Sequence, residues 1–157
     1  MARPHTDIEA GRNALLEVVD DLVRKRGALD ISMTDLAAAA GMSASNLYRF
    51  FDNKEALLEA VAERFFAEKI RIMVEVTESD LPVRDKMYQY FARRYLANVE
   101  QYESEPDLLK SYLEIGQQYF EVVRGYVDLG DHYLSLIVAE AMEQGYYISF
   151  PLLNSSP

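Results

Sequence analysis

The chain has 157 residues, half of them apolar, with no cysteine and a formal net charge of −10. That is enough apolar content for a core in one or two small domains, and it excludes disulfides and thiolate chemistry. No apolar run approaches the roughly 18 residues of a membrane span and no secretory leader opens the chain, so a cytoplasmic protein without a membrane partner is expected.

Met1 to Thr6 is a polar lead with Arg3, Pro4 and His5, either a disordered terminus or an arm that reaches phosphates. From about Ile8 to Arg26, the residues Ala14, Leu15, Val18, Val19, Leu22 and Val23 trace a helical stripe that Gly27 ends. Lys25 and Arg26 in its last turn complement the helix dipole. Leu29 and Ile31 seat the link to the next helix. Ser32 with Asp35 three residues on is a capping-box pattern, and Leu36, Ala37 and Ala40 then share one helical face. Gly41 supplies the left-handed stop. Ser43 caps a second short helix from Ala44 to Phe51, and Asp52 or Asn53 caps a third that opens with Lys54 and Glu55. Three caps and one glycine stop in so short a span predict a helix-turn-helix.

On the helix expected over residues 44–51, Ala44, Leu47 and Phe51 share one face with Phe50 at its edge. Ser45 and Arg49 lie opposite, flanked by Asn46 and Tyr48. An apolar inner face with a hydrogen-bonding outer face suits a DNA major groove. Arg pairs bidentately with guanine, Asn with adenine, and small Ala and Ser side chains permit close approach. Tyr48 and Lys54 sit at the flanks, where a hydroxyl and an ammonium meet phosphates. The expected double-stranded DNA contacts are therefore Ser43, Ala44, Ser45, Asn46, Tyr48, Arg49 and Lys54. Net charge runs against a featureless electrostatic grip: through Phe66 there are eight Lys/Arg against eleven Asp/Glu, and beyond it eight against fifteen. Arg3, Lys25, Arg26, Arg49 and Lys54 could still form a local positive surface on a repelling body, so binding is expected to rest on shape and base contacts.

These residues carry a resemblance. Leu36-Ala37, Ala40-Gly41, Ser43, Leu47-Tyr48, Phe51 and Lys54 stand in register with the DNA-binding domain of the tetracycline-repressor-like (TetR) family of bacterial transcription regulators, and the first helix also fits. The resemblance covers about the first third of the chain. Ser45 stands where many members have Gly and Phe50 where many have His, both at or beside the groove in the family, so base preference does not carry over. The resemblance implies a three-helix DNA-binding domain over residues 1–53 and a helical ligand-binding and dimerising body over residues 54–157. It also implies a homodimer and a small-molecule effector. Family members continue with two more helices that supply the dimer interface, so the body is expected to be shortened at its C-terminus.

Beyond Lys54, Leu57, Leu58, Val61, Phe65, Ile72 and Val76 recur at helical spacing to about Val76, and the stretch from Glu78 to Pro82 breaks the helix. A helix from about Val83 to Gln101 is expected to bury Met87, Tyr88, Phe91, Tyr95, Leu96 and Val99. Glu105-Pro106 opens another that carries Leu108, Leu109, Tyr112 and Leu113 and ends near Gly116. Gln118 to Gln144 reads as one long helix, with a kink or a division possible at Gly125 or Gly130, and the tail from Tyr146 has no helical period. With no strand-like alternation, the fold class is all-α.

Ten of the eleven tyrosines follow residue 87. They serve either as amphipathic core and interface packing or as the lining of a pocket for a flat or greasy molecule, with Met87, Tyr88, Phe91, Tyr95, Tyr112, Tyr119 and Tyr126 as candidates. Two isolated histidines, His5 and His132, supply neither a metal site nor a triad, and no phosphate loop or nucleophile elbow is present, so no enzyme, no metal and no cofactor is expected. Two readings fit these residues: a ligand-responsive DNA-binding regulator, a repressor on a palindromic operator, or a helical interaction module that has lost DNA binding, which the acidity would suit.

Overall fold

The computed structural model describes residues 5–27 and 31–146, so the expected N-terminal arm, Leu29 and the tail after Tyr146 lie outside the described residues. The described residues form seven helices and no strand: α1 His5–Arg26, α2 Met33–Ala39, α3 Ala44–Leu47, α4 Lys54–Glu78, α5 Val83–Ser104, α6 Pro106–Gln118 and α7 Phe120–Glu143.

Local chemistry sets the short elements. Ser32 Oγ accepts from the Asp35 amide at 3.0 Å while Asp35 Oδ2 accepts from the Ser32 amide at 3.0 Å, a complete capping box. Those bonds to Ser32 hold the Asp35 carboxyl below its ordinary range, with Arg26 adding to the effect. Gly41, at φ 68°, turns the chain out of α2. Ser43 Oγ then accepts from the Asn46 amide at 3.2 Å, and Asn53, not Asp52, caps α4 by accepting from the Ala56 amide at 2.8 Å. α6 and α7 divide at Tyr119, ahead of Gly125 and Gly130, and α7 runs through both glycines without a break.

Two apolar cores hold the helices, and α4 belongs to both. The first joins Leu15, Leu16, Val19, Leu22 and Val23 of α1 to Leu36, Leu47 and Phe51 and to Leu57, Leu58 and Val61 of α4, with Tyr112 and Ile115 of α6 completing it. Ala14, expected on the α1 stripe, is exposed. The second joins Ile72, Met73 and Val76 of α4 to Val83 and Tyr90 of α5 and Ile137 and Ala141 of α7.

α5 is rotated from the expected orientation. It buries Val83, Lys86 and Tyr90, whereas Tyr88, Phe91, Tyr95 and Leu96 are exposed. Aromatic residues occupy both of its faces, and the inward face also carries Lys86, Arg94 and Gln101, polar residues that a hydrophobic period discards. These side chains find partners inside: Lys86 Nζ donates to the Thr77 carbonyl at 3.1 Å and pairs with Glu140 at 3.0 Å, a terminal nitrogen of Arg94 donates to Tyr126 Oη, Gln101 accepts from Lys69, and Tyr90 Oη donates to the Gly130 carbonyl at 2.6 Å. A satisfied polar group can be buried at little cost, so these bonds permit the turn.

Candidate nucleic-acid interface and ligand cavity

The segment after Gly41 is shorter as a helix than its sequence predicts. α3 is Ala44–Leu47, and residues 48–50 continue as turns. The amides of Arg49 and Phe50 donate three residues back, to Asn46 at 3.2 Å and Leu47 at 2.9 Å, which tightens the backbone before Asn53 restarts a helix. The facing of the side chains is kept. Leu47 is fully buried and Phe51 is 1% exposed, and they pin the segment to the first core. Arg12 of α1 lies over the Phe51 ring, 4.9 Å from its centroid. Ser43, Ala44, Ser45, Tyr48 and Arg49 are exposed, and Asn46 and Lys54 are half-buried beside them.

Phe50 points toward the protein. Its ring packs on the first core and against α1, where a Cβ on Gly11 would stand 2.4 Å from Phe50 Cε1. Of the surrounding cations, Arg26 is engaged by Asp35 at 3.5 Å and Arg64 by Asp20 at 3.6 Å. Arg49 and Lys54 make no ion pair among the described residues. A hydroxyl, an amide and a guanidinium on a turn seated by Leu47 and Phe51 can hydrogen-bond base edges and phosphates.

Where the two cores part along α4, a cavity of about 630 Å³ opens among α4, α5, α6 and α7. Phe65, Phe66 and Lys69 reach it from α4, Arg94 and Asn98 from α5, Tyr112 and Leu113 from α6, and Phe120 and Tyr126 from α7. Phe66 stacks on Tyr126 with centroids 3.9 Å apart, and Phe65 lies tilted on Tyr112 at 4.3 Å. Tyr112 Oη leaves the cavity to donate to Asp20 Oδ1 of α1 at 2.5 Å. Burial pushes the Tyr112 phenol well above its ordinary range, and the bond to Asp20 adds to the rise.

The seven residues expected to line a pocket separate into three groups. Tyr112 and Tyr126 line the cavity. Met87 packs on the second core and Tyr119 on the first. Tyr88, Phe91 and Tyr95 do not join them: they stand 69%, 52% and 67% exposed on the outer face of the rotated α5. Sequence alone does not single out Lys69 and Arg94, because charge reads as surface. The signal available was position, since Lys69 follows Phe65-Phe66 by one helical turn on a helix whose apolar stripe runs past it.

Comparison with known proteins agrees with this architecture. The family model described as bacterial regulatory proteins, tetR family, matches residues 15–61, and that of a tetracyclin repressor-like C-terminal domain matches residues 83–151. The HTH-type transcriptional regulator YvaF of Bacillus subtilis is 39% identical over 69 residues, 43% of this chain and 36% of YvaF. The HTH-type transcriptional repressor KstR2 of Rhodococcus jostii is 30% identical over 88 residues, 54% of this chain and 43% of KstR2. The chain thus spans less than half the length of either relative. A solved TetR family regulator from Marinobacter aquaeolei superposes with a TM-score of 0.65 at 19% identity, covering 90% of this chain and 73% of that one. Matched at both its head and its helical body, the chain belongs to the tetR family of bacterial regulatory proteins.

Proposed function

We propose that this protein is a ligand-responsive DNA-binding regulator of transcription, a repressor that works as a homodimer on a palindromic operator. The observation that carries the reading is the exposure of Ser45 and Arg49, with half-buried Asn46 beside them, on a segment anchored by Leu47 and Phe51. Ser43, Ala44, Tyr48 and Lys54 complete the contact surface. The head is assigned to residues 1–53 and the body to 54–157, with the cavity as the effector site. Two heads in one dimer enter successive major grooves about 34 Å apart. An effector that binds the off-DNA arrangement more tightly releases the operator by population shift.

The test is selection of a binding site from random DNA followed by titration of wild type and Arg49→Ala. Loss of about 1–3 kcal/mol on the selected site, with relaxed preference at one position, is expected if Arg49 reads a base. Equal loss on random DNA removes Arg49 from base reading, and failure to enrich any sequence removes the regulator reading in favour of an interaction module.

A further inference from the structure

The described part of the chain buries two lysines, and it treats them differently. Lys86, 7% exposed, has the Glu140 carboxylate and the Thr77 carbonyl. Lys69, 2% exposed, has no carboxylate among the described residues. Its ammonium donates to the Gln101 side-chain oxygen at 2.5 Å and lies 4.5 Å from the Phe65 ring centroid and 5.8 Å from that of Phe66. The neighbouring Glu68 is turned outward and hydrogen-bonded to Arg71.

Arg94 faces the same cavity. One of its terminal nitrogens donates to Tyr126 Oη at 2.9 Å, its guanidinium lies over the Tyr90 ring, and its Nε is buried without a hydrogen-bond partner. Among the described residues, no Asp or Glu lines the cavity. Buried charges are ordinarily paired, because leaving one uncompensated is costly. Two cations on one cavity wall with no counter-ion also repel each other. Burial, with Arg94 beside it, lowers the Lys69 ammonium to about 8. Perturbed groups of this kind gather at functional sites.

On the reading that this cavity is the effector site, we infer that the effector is an organic anion, a carboxylate or sulfonate, whose head group is taken by Lys69 and Arg94 and whose flat apolar body lies along Phe65, Phe66, Tyr112 and Phe120. The aromatic walls accept a ring system, and the two donors supply the missing counter-charge with charge-assisted hydrogen bonds. A neutral molecule of the same shape leaves both cations uncompensated, so the cavity discriminates by charge before shape.

The experiment uses the full chain and two fluorescent probes of nearly the same outline, 8-anilinonaphthalene-1-sulfonate and its neutral counterpart N-phenyl-1-naphthylamine. Wild type is expected to bind the sulfonate at least tenfold more tightly, with 2-naphthoate displacing it and 2-naphthol displacing it far less. Lys69→Met, which keeps the buried volume, is expected to remove most of that preference while leaving the neutral probe within about twofold. Val127 of α7 also lines the cavity, and Val127→Trp, which fills it, is expected to abolish binding of both probes. Equal affinities for the two probes in wild type, or a preference unchanged in Lys69→Met while Val127→Trp abolishes both, overturns the anion inference and leaves the cavity reading standing. Sulfonate binding untouched by Val127→Trp overturns the cavity reading itself, and the inference with it. The naphthoate and naphthol competition on wild type needs no variant, so it decides the charge preference even if a substitution fails to fold.

Discussion

Gly11 and Lys69 are the residues whose surroundings depart furthest from their type. Gly11 sits in mid-helix, where alanine is normally favoured by about 1 kcal/mol. Here a Cβ would lie 2.4 Å from the Phe50 ring, so Gly11→Ala is expected to destabilise by about 1–3 kcal/mol, the ordinary range for overpacking. Phe50→Ala in the same chain should reverse the sign of the Gly11 effect, and urea denaturation of the four-member cycle measures it. Lys69 carries a pH signature. Its ammonium titrates near 8 in the folded chain against 10.5 ordinarily, chiefly through burial. Between those values the unfolded chain holds a proton that the folded chain has released, so stability from this group rises with pH across the window and is lost as pH falls through 8. Lys69→Met removes the dependence. Its melting temperature relative to wild type should therefore be higher at pH 7 than at pH 10, with at most about 3 kcal/mol at stake.

At the level of helices, the link worth testing is the one from α6 to α1. Tyr112 presents its ring to the cavity and its hydroxyl to Asp20, which also pairs with Arg64 of α4. One side chain thus touches the proposed effector site and the first helix of the proposed head. Tyr112→Phe keeps the ring and deletes the bond. It is expected to leave probe affinity within about twofold while cutting by more than half the change in DNA affinity that an effector produces, out of a typical coupling of about 1–3 kcal/mol. Fluorescence anisotropy on operator DNA with and without effector measures both quantities. The same scale shows which elements the sequence discloses. Ser32, Asp35, Gly41 and Ser43 act on neighbours within three or four residues, so the caps and the turn between α2 and α3 are legible from the residues alone. The facing of α5 is not, because Tyr88, Phe91 and Tyr95 compete with Tyr90 for the inside, and the choice rests on partners from other helices, Gly130 and Glu140 among them. The cavity was hidden for the same reason, since Lys69 looks like surface until Gln101 and two phenyl rings surround it. Phe50, at a position that the resemblance puts at or beside the groove, turns inward, where Gly11 leaves it room.

For the molecule as a whole, acidity and DNA binding have to coexist. A net charge of −10 repels a polyanion, so on the proposed function the few cations near α3 are left to make the phosphate contacts. Lys54→Ala is accordingly expected to weaken binding to all DNA sequences alike and to reduce the slope of log affinity against log salt by about one unit. An unchanged slope in a salt titration takes Lys54 off the phosphate backbone.

The shared membership of α4 in both cores has a mechanical consequence. From Val76, held in the second core, to Lys54 at the end beside the proposed DNA surface is about 33 Å of helix at 1.5 Å per residue. With the second core as fulcrum, a swing of about 5° displaces the far end by about 3 Å, close to the roughly 3.4 Å advance of one nucleotide along a strand. A lever of this length needs only a small angular adjustment around the cavity to put a reading head out of step with its bases.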